Sequence, residues 1–338
     1  MAHNAHYGTP DPELAAALEK LPPPFEVVDA LESRAKFNNL FGKLVEIQKQ
    51  HIVLPQENEY ELKDRNIPVE GGEIRVRTVV PTVRSSPTEA FPLLVWFHGG
   101  GFVLGNPEMD DVVLRKLSVE LKISVVNVDY RLAPEYPFPT PPNDCFEAVK
   151  WAVNNASELS ASPRKGLIIG GCSAGANITS GLAIRARDDP FFDKEKGTAI
   201  TGQLMQIPSI GFIPEQYKSE IYSHEQHKNG HTLTESQRVV FARAYKADPQ
   251  SPLYSPLLAS SHKNLPPAYF QVSGQDLLRD DGLLYEKVLR ENGVKTKLDI
   301  YPGYPHGGHN MLFGLEITKK FERDFVQGVK WLIDNAQY

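Results

Sequence analysis

The segment Gly171-Cys172-Ser173-Ala174-Gly175 combines residue types and a spacing that suggest nucleophilic chemistry. An apolar stretch, GLIIG, leads into it, and a helical pattern that begins AGANITS follows. Glycines flanking a central serine in this way, between a strand and a helix, form a nucleophile elbow. The turn is so tight that the serine takes a strained backbone, and only glycine on each side lets the neighbouring strands and helix approach. Ser173 is therefore the candidate nucleophile.

A glycine-rich loop of His98, Gly99, Gly100 and Gly101 follows a second apolar strand pattern, LLVWF. Consecutive backbone N–H groups in such a loop can point at a developing oxyanion, and removing one such donor typically costs about 3 kcal/mol of transition-state stabilisation. We expect two of the three glycine amides and the N–H of Ala174 to form an oxyanion hole. The loop matches neither a phosphate-loop nor a dinucleotide-binding pattern. His98 is expected to shape the loop by side-chain hydrogen bonding.

A serine hydroxyl needs a base, and the base needs an acceptor that fixes its tautomer. In proteins with this elbow the chain order is serine, then acid, then histidine. Asp276 follows the strand pattern AYFQVSG, and His306 follows the next strand pattern, KLDIYPG. Both residues would lie in turns at the carboxyl ends of strands. Ser173, Asp276 and His306 are therefore the predicted catalytic triad.

Three nearby residues compete for the roles of acid and base. Asp280 and Asp281 lie one helical turn beyond Asp276. We expect them near the exposed first turn of a helix, where carboxylates favour the positive end of the helix dipole. His309 lies three residues beyond His306 in the same glycine-rich turn and stays the main alternative base.

From about residue 72 onward, short patterns rich in Val, Ile and aromatic residues alternate with helical patterns. The strand patterns cover 73–81, 92–98, 123–130, 166–173, 202–208, 268–274 and 297–303. The helical patterns cover 109–121, 141–156, 174–188, 277–292 and 315–336. Strand, helix and strand in repetition predict an α/β fold with crossover connections, in which helices flank a mostly parallel central sheet on both faces.

Two regions lie outside this alternation, and we expect both to form a helical cap over the active site. The second of them contains TESQRVVFARAY, in which Thr234 is expected to cap a helix. The predicted parts of the chain are N-terminal cap helices at 1–55, a first part of the catalytic core at 56–208, a cap insertion at 209–250 and a second part of the core at 251–338. The aromatic residues expected to line the pocket, or equally to belong to the core, are Phe25, Phe37, Phe41, Phe212 and Tyr217.

Composition narrows the function classes. The 338 residues carry a formal net charge of -6 without a basic block, which argues against a nucleic-acid partner. The N-terminus lacks the pattern of a secretory signal, and no stretch approaches 18 apolar residues, so we expect a cytoplasmic protein without stable membrane insertion. Cys145 and Cys172 have neither disulfide nor metal-ligand spacing. We therefore expect free thiols and no metal.

The motifs together resemble the hormone-sensitive lipase family of esterases, the fold-3 group of α/β hydrolases. The resemblance covers roughly residues 70–335 and includes HGGGF, DYRLAPEYPFP, SPLLA, LPPAYFQVSGQDLLRDDGLLYEKVLRENGV and YPGYPHGG. It implies an α/β-hydrolase fold, a carboxylesterase without a cofactor, a helical cap, and a triad at Ser173, Asp276 and His306. In the family segment YRLAPE, Arg131 and Glu135 are expected to form a structural ion pair.

The chain departs from the family pattern at three positions. Cys172 stands where the family usually has aspartate, and we expect it to be a small apolar filler. Gly308 and His309 follow the PHG motif, where phenylalanine is frequent, and Ala176 replaces a glycine. None of these changes removes a catalytic group, so they bear on rate and substrate.

The predicted function is hydrolysis of a small-molecule carboxylic ester through an acyl-enzyme, with short-chain or acetylated esters preferred. A homodimer is compatible with the sequence. Alternatives are a lyase, cyclase or lactonase of specialised metabolism, or a non-catalytic small-molecule receptor on the same fold. The presence of Ser173, Asp276 and His306 argues against a receptor, and the intact Ser173 favours hydrolysis over a lyase or cyclase.

Overall fold

The computed structural model describes residues 3–84, 86 and 89–336, and these residues form one eight-stranded sheet. The strands are β1 (Tyr60–Val69), β2 (Gly72–Pro81), β3 (Leu93–Phe97), β4 (Ser124–Asp129), β5 (Leu167–Cys172), β6 (Gly202–Gln206), β7 (Ala268–Gln275) and β8 (Thr296–Pro305). Their order across the sheet is β1-β2-β4-β3-β5-β6-β7-β8. β2 pairs antiparallel with β1 and β4, and all other pairs are parallel. The predicted mostly parallel sheet is confirmed.

The helices connect and cover these strands. They are α1 (Pro12–Leu18), α2 (Ala30–His51), α3 (Asp111–Leu121), α4 (Thr140–Asn154), α5 (Ala174–Asp188), α6 (Ser223–Gln226), α7 (Glu235–Tyr245), α8 (Arg279–Glu291) and α9 (Glu316–Asp334). Among the described residues, no helix combines the length and the apolar character needed to cross a membrane.

The central strand β3 shows why helices cover both faces of the sheet. Its side chains alternate between the faces. Leu93, Val95 and Phe97 pack in one apolar cluster with residues of α4, α5 and α8, whereas Leu94 and Trp96 pack in a second cluster with α3 and α9. Every residue of β3 is buried. A parallel strand covered on both faces is typically a nearly continuous apolar run, as LLVWF is.

β1 is absent from the predicted strands. Its sequence, YELKDRNIPV, is largely polar, and of its ten residues only Tyr60 and Ile67 are buried. β1 is an edge strand that pairs with β2 across a tight turn, and the Arg77 guanidinium on β2 binds the Asp64 carboxylate on β1 at 2.7 Å. Because the outer strand needs little apolar surface, its pattern resembles that of a loop.

The N-terminal region and the segment 209–250 meet each other, since Gln237 Nε2 on α7 donates to the Phe25 carbonyl at 2.6 Å. The amide of Asn177, on α5, binds the chain where the segment begins and four residues after it ends. It donates to the Ser209 carbonyl at 3.2 Å and to the Tyr254 carbonyl at 2.7 Å. Thr234 caps α7 through a hydrogen bond from the Gln237 N–H, as predicted.

Candidate active site

Ser173 lies in the turn between β5 and α5, with φ 54° and ψ −110°, a strained backbone for a residue other than glycine. A Cβ at Gly175 would overlap the backbone carbonyl of Phe97, and one at Gly171 would overlap the backbone of Gly175. The predicted elbow geometry is therefore confirmed, and glycine is required on both sides for steric reasons.

Asp276 and His306 follow β7 and β8, and the structure brings both to Ser173. His306 Nε2 lies 2.9 Å from Ser173 Oγ, and His306 Nδ1 lies 2.7 Å from Asp276 Oδ2. The other carboxylate oxygen of Asp276 accepts the Leu278 N–H at 2.8 Å. Since an ionised carboxylate only accepts hydrogen bonds, the proton of a neutral His306 ring lies on Nδ1. Nε2 is then free to accept the serine proton.

The loop after β3 brings Gly99, Gly100 and Gly101 to the cavity that Ser173 and Ala174 also line. Gly100 and Gly101 have φ values of 118° and 63°, and the Gly100 carbonyl accepts the Leu104 N–H at 2.8 Å. These conformations favour glycine and turn the loop sharply over the serine.

His98 is fully buried beside this loop, where its ring stacks on Tyr130 at 4.3 Å and its Nδ1 donates to the Gly99 carbonyl at 2.7 Å. Burial lowers the pKa of His98, so the ring stays neutral. The predicted role of His98 in shaping the loop by hydrogen bonding is confirmed.

The structure places His306, and not His309, against the serine. The His309 ring stacks on Phe321 at 4.7 Å, and its Nε2 accepts a hydrogen bond from Asn310 at 3.1 Å. Burial, with a smaller contribution from His306, lowers the pKa of His309 to about 3. His309 is thus a neutral core residue.

The expectation that Asp280 and Asp281 lie in an exposed first turn is wrong, since each is only 1% exposed. They do lie in the first turn of α8, but the segment 209–250 covers it. Asp280 binds the buried Arg279 at 2.9 Å and accepts the N–H groups of Tyr222 and Ser223, both at 2.8 Å.

Asp281 binds His224 Nε2 at 2.7 Å and accepts the Ile210 N–H at 3.2 Å. Burial of the imidazole opposes protonation, but the Asp281 carboxylate outweighs it and raises the pKa of His224 above its ordinary value. The two consecutive aspartates therefore fasten the segment 209–250 to α8.

The expected ion pair between Arg131 and Glu135 is also wrong. Arg131 binds Asp144 on α4 at 2.6 Å, and Glu135 binds Arg34 on α2 at 2.7 Å. Each residue therefore pairs with a partner outside YRLAPE, and proximity within this motif does not predict the ion pairs.

Arg34 belongs to no sequence motif, yet its guanidinium joins α2 to the chain just after the glycine-rich loop and to the YRLAPE segment. Nε donates to the Val103 carbonyl at 2.8 Å, and Nη2 donates to the Ala133 carbonyl at 2.6 Å. The same guanidinium holds Glu135 through two hydrogen bonds, which lower the pKa of that carboxyl group. A lone arginine in an amphipathic helix gives no sequence signal for such contacts.

A cavity of about 470 Å³ lies over Ser173. Apolar residues from the N-terminal region and from the segment 209–250 supply much of its wall; they include Leu21, Phe25, Phe37, Leu40, Phe41, Leu44, Leu233, Val239 and Phe241. Phe25, Phe37 and Phe41 thus line the cavity as expected, whereas Phe212 and Tyr217 do not.

Cys172 also lines this cavity, although the residue is only 6% exposed. Burial raises the pKa of its thiol well above the ordinary value, so the sulfur stays protonated. This environment fits the expected role of a small apolar filler.

A serine elbow at the carboxyl edge of a mostly parallel sheet, with an aspartate and a histidine after later strands, defines a hydrolase of the α/β class. The family profile described as alpha/beta hydrolase fold matches residues 94–310, well over half of the chain. The chain belongs to this family, within the hormone-sensitive lipase group of esterases that its motifs resemble.

Three similar proteins show the range of the family. An AB hydrolase superfamily protein of Schizosaccharomyces pombe is 32% identical over 97% of this chain and 95% of its own length. A versiconal hemiacetal acetate esterase of Dothistroma septosporum is 35% identical over 74% of this chain and 76% of its own. The crystal structure of a vibralactone cyclase has a TM-score of 0.92 and 39% identity, and covers 97% of this chain and 96% of the other.

Proposed function

We propose that this protein is a serine carboxylesterase in which Ser173 is the nucleophile, His306 the general base and Asp276 the acid that orients the histidine. The observation that carries the proposal is the continuous hydrogen-bonded chain from Asp276 through His306 to Ser173, at 2.7 Å and 2.9 Å. A serine is activated as a nucleophile by a base that a third group orients.

In the proposed reaction, Ser173 Oγ attacks the ester carbonyl while His306 Nε2 takes the hydroxyl proton. The negative oxygen of the tetrahedral intermediate is bound by the N–H of Ala174 and by two of the amides in the glycine loop. The carbon–oxygen bond to the alcohol breaks, and His306 returns the proton to the departing alcohol. Water then attacks the acyl-enzyme by the same steps, which releases the acid and restores Ser173. No cofactor takes part in these steps.

The apolar wall of the cavity supports an uncharged small-molecule ester as substrate. The charged lining residues Glu235 and Arg238 pair with each other at 2.7 Å, so neither carries an uncompensated charge. The similarity to an acetate esterase favours short or acetylated acyl groups. We further propose that residues 1–55 and 209–250 act together as the cap, because both contribute apolar walls to the cavity.

A second candidate function is lactone formation, which the similarity to a vibralactone cyclase over nearly the whole chain favours. A lactone is a cyclic ester. If a hydroxyl group within the bound acyl chain attacked the acyl-enzyme in place of water, Ser173 would be released and a ring would form. The same triad and oxyanion hole would serve both outcomes, and access of water to the acyl-enzyme would decide between them.

The test is the variant Ser173→Ala with p-nitrophenyl butyrate as substrate. We expect kcat/KM to fall by at least about 1000-fold, because the residual rate would come only from the oxyanion hole and binding. Ser157→Ala, which alters an exposed serine in the turn after α4, is the matched control and should leave the rate unchanged. Retention of most activity by Ser173→Ala would contradict the proposal. Mass analysis of products from a hydroxy-acyl ester would separate a free acid from a lactone.

A further inference from the structure

His306 lies between β8 and a short 3-10 helix, Gly308–Asn310, and belongs to neither. β8 ends at Pro305, and Gly307 follows His306 with φ 65°. The sheet therefore fixes the backbone up to the residue before the histidine and no further. In the described chain, one hydrogen bond reaches the backbone carbonyl of His306, and its donor is the hydroxyl of Thr232 at 2.6 Å.

Thr232 belongs to the segment 209–250, in the stretch between α6 and α7. This stretch is itself fixed, because Asn229 and Thr234 form a β-bridge around Thr232 and Thr234 begins the capping box of α7. The Thr232 side chain is partly buried and lines the cavity. A β-branched side chain has few χ1 rotamers, so the hydroxyl is directed at the carbonyl with little loss of entropy.

The geometry of His306 leaves little tolerance for movement of this turn. The ring must keep both Nδ1 within hydrogen-bond distance of Asp276 and Nε2 within hydrogen-bond distance of Ser173. A displacement of about 1 Å in a catalytic group can lower the rate by about 100-fold. A hydrogen bond to the backbone carbonyl of His306 can therefore fix the position of the imidazole ring without contacting the ring itself.

A second contact links the same segment to the turn of the acid. Ser223 Oγ donates to the carbonyl of Leu277 at 2.8 Å and accepts the Asp280 N–H at 3.1 Å. Leu277 directly follows Asp276. The segment thus touches the backbone beside the acid and at the base, although neither contact involves a side chain of the triad.

We propose that Thr232 is a positioning residue, which holds the His306 turn in the geometry needed for proton transfer. The inference rests on the proposed triad function of His306. In this proposal the segment 209–250 has two roles. It lines the cavity that binds the substrate, and its contact with His306 also affects the catalytic rate.

The test compares Thr232→Val with Thr232→Ser. Valine keeps the shape of threonine and loses the hydroxyl, whereas serine keeps the hydroxyl. With p-nitrophenyl butyrate, we expect Thr232→Val to lower kcat about tenfold with less than a twofold change in KM, and Thr232→Ser to recover at least half of the rate. The rate at which a small p-nitrophenyl phosphonate modifies Ser173 should fall in parallel, because that step also requires the base.

Thr234→Val is the matched control, since Thr234 lies two residues further on and caps α7 without contact to His306. We expect it to loosen the cavity wall, raise KM and leave kcat within a factor of two. If Thr232→Val behaves in the same way, Thr232 has a structural role only and the inference is overturned.

A spectroscopic measurement keeps the test valid if Thr232→Val loses stability. At temperatures where the variant is folded, the downfield proton resonance of His306 Nδ1–H should broaden in Thr232→Val and stay sharp in Thr234→Val. An unchanged resonance together with an unchanged kcat would contradict the inference. Failure of His306→Ala to abolish activity would instead contradict the proposed function, so the two failures are distinguishable.

Discussion

The two halves of the candidate site are fixed by different means. Ser173 and the glycine loop are fixed by backbone packing, because glycines at the elbow let strand, helix and loop come into direct contact. The turns of Asp276 and His306 are instead held by hydrogen bonds, and two of these come from hydroxyl groups of the segment 209–250. Ser223 donates to the Leu277 carbonyl, and Thr232 donates to the His306 carbonyl. The backbone around Ser173 is so closely packed that it has no room to move. The second half depends on a segment that lies outside the sheet.

Because of this difference, substitutions in the two halves of the site should have effects of different size. Overlap of backbone atoms costs far more free energy than the loss of one hydrogen bond, which typically contributes about 1 kcal/mol. Changes at the elbow should therefore affect folding of the whole domain. Changes in the contacts from the covering segments should give graded effects on rate and binding.

The largest effect is expected for Gly175→Ala. Its Cβ would overlap the Phe97 carbonyl, so α5 must move away from β3. We expect a loss of at least about 3 kcal/mol in the free energy of unfolding, measured by urea titration, and little folded protein. Gly42→Ala is the control, because a Cβ there meets no atom within 4 Å and the exchange should stabilise α2 by about 1 kcal/mol. Equal stability of both variants would show that the elbow is not fixed by packing.

An intermediate effect is expected for Arg34→Ala, which removes the donor to the Val103 and Ala133 carbonyls and leaves Glu135 unpaired. We expect the free energy of unfolding to fall by about 1–3 kcal/mol. KM should rise, because α2 carries Phe37 and Phe41 of the cavity wall.

Two further variants sharpen this prediction. Glu135→Gln removes the ion pair but keeps both hydrogen bonds to the carbonyls, and should retain most of the stability. Lys36→Ala, an exposed site on the same helix whose ion pair is with Glu32, should cause no measurable change. If all three variants behave alike, the contact with the glycine loop contributes nothing.

The smallest effect concerns pH. The pKa of His224 is raised in the folded protein, mainly through Asp281 against the effect of burial, with Glu235 raising it further and Arg238 lowering it. A raised pKa stabilises the fold below the ordinary value near 6.5, and this contribution is lost as the pH rises through the folded value.

Removal of either partner should therefore flatten the pH dependence of stability. We expect His224→Gln and Asp281→Asn each to reduce the decrease in unfolding free energy between about pH 6 and pH 8. Urea titrations at four pH values within this range would measure it. If the unfolding free energy of both variants depends on pH as it does in the unaltered protein, the pair of His224 and Asp281 does not titrate in this range.

The features that could be predicted from the sequence are local ones. The elbow at Ser173 depends on five consecutive residues, and α7 begins at Thr234 because a capping residue stands directly before a helical pattern. The proximity of Asp276 and His306 to Ser173 can be predicted because each follows a strand pattern, and parallel strands end at one edge of a sheet. Short-range steric and hydrogen-bonding rules are sufficient for these features.

Contacts between distant segments could not be predicted in this way. Asp280 and Asp281 were expected in water because a helix N-terminus favours carboxylates there, and nothing in the sequence shows that Tyr222, Ser223 and His224 cover them. β1 was missed for a related reason. An edge strand is held by its partner strand, so its own residues need not be apolar.

The two hydrogen bonds of the Asn177 amide have a consequence for engineering. They bind Ser209, the first residue of the segment 209–250, and Tyr254, four residues beyond its end, so the segment leaves and returns to the core beside one side chain of α5. The entropy of closing such a loop grows only slowly with its length. A transplanted segment of different length could therefore be grafted at this point, provided that it supplies its own hydroxyl groups to the carbonyls of Leu277 and His306.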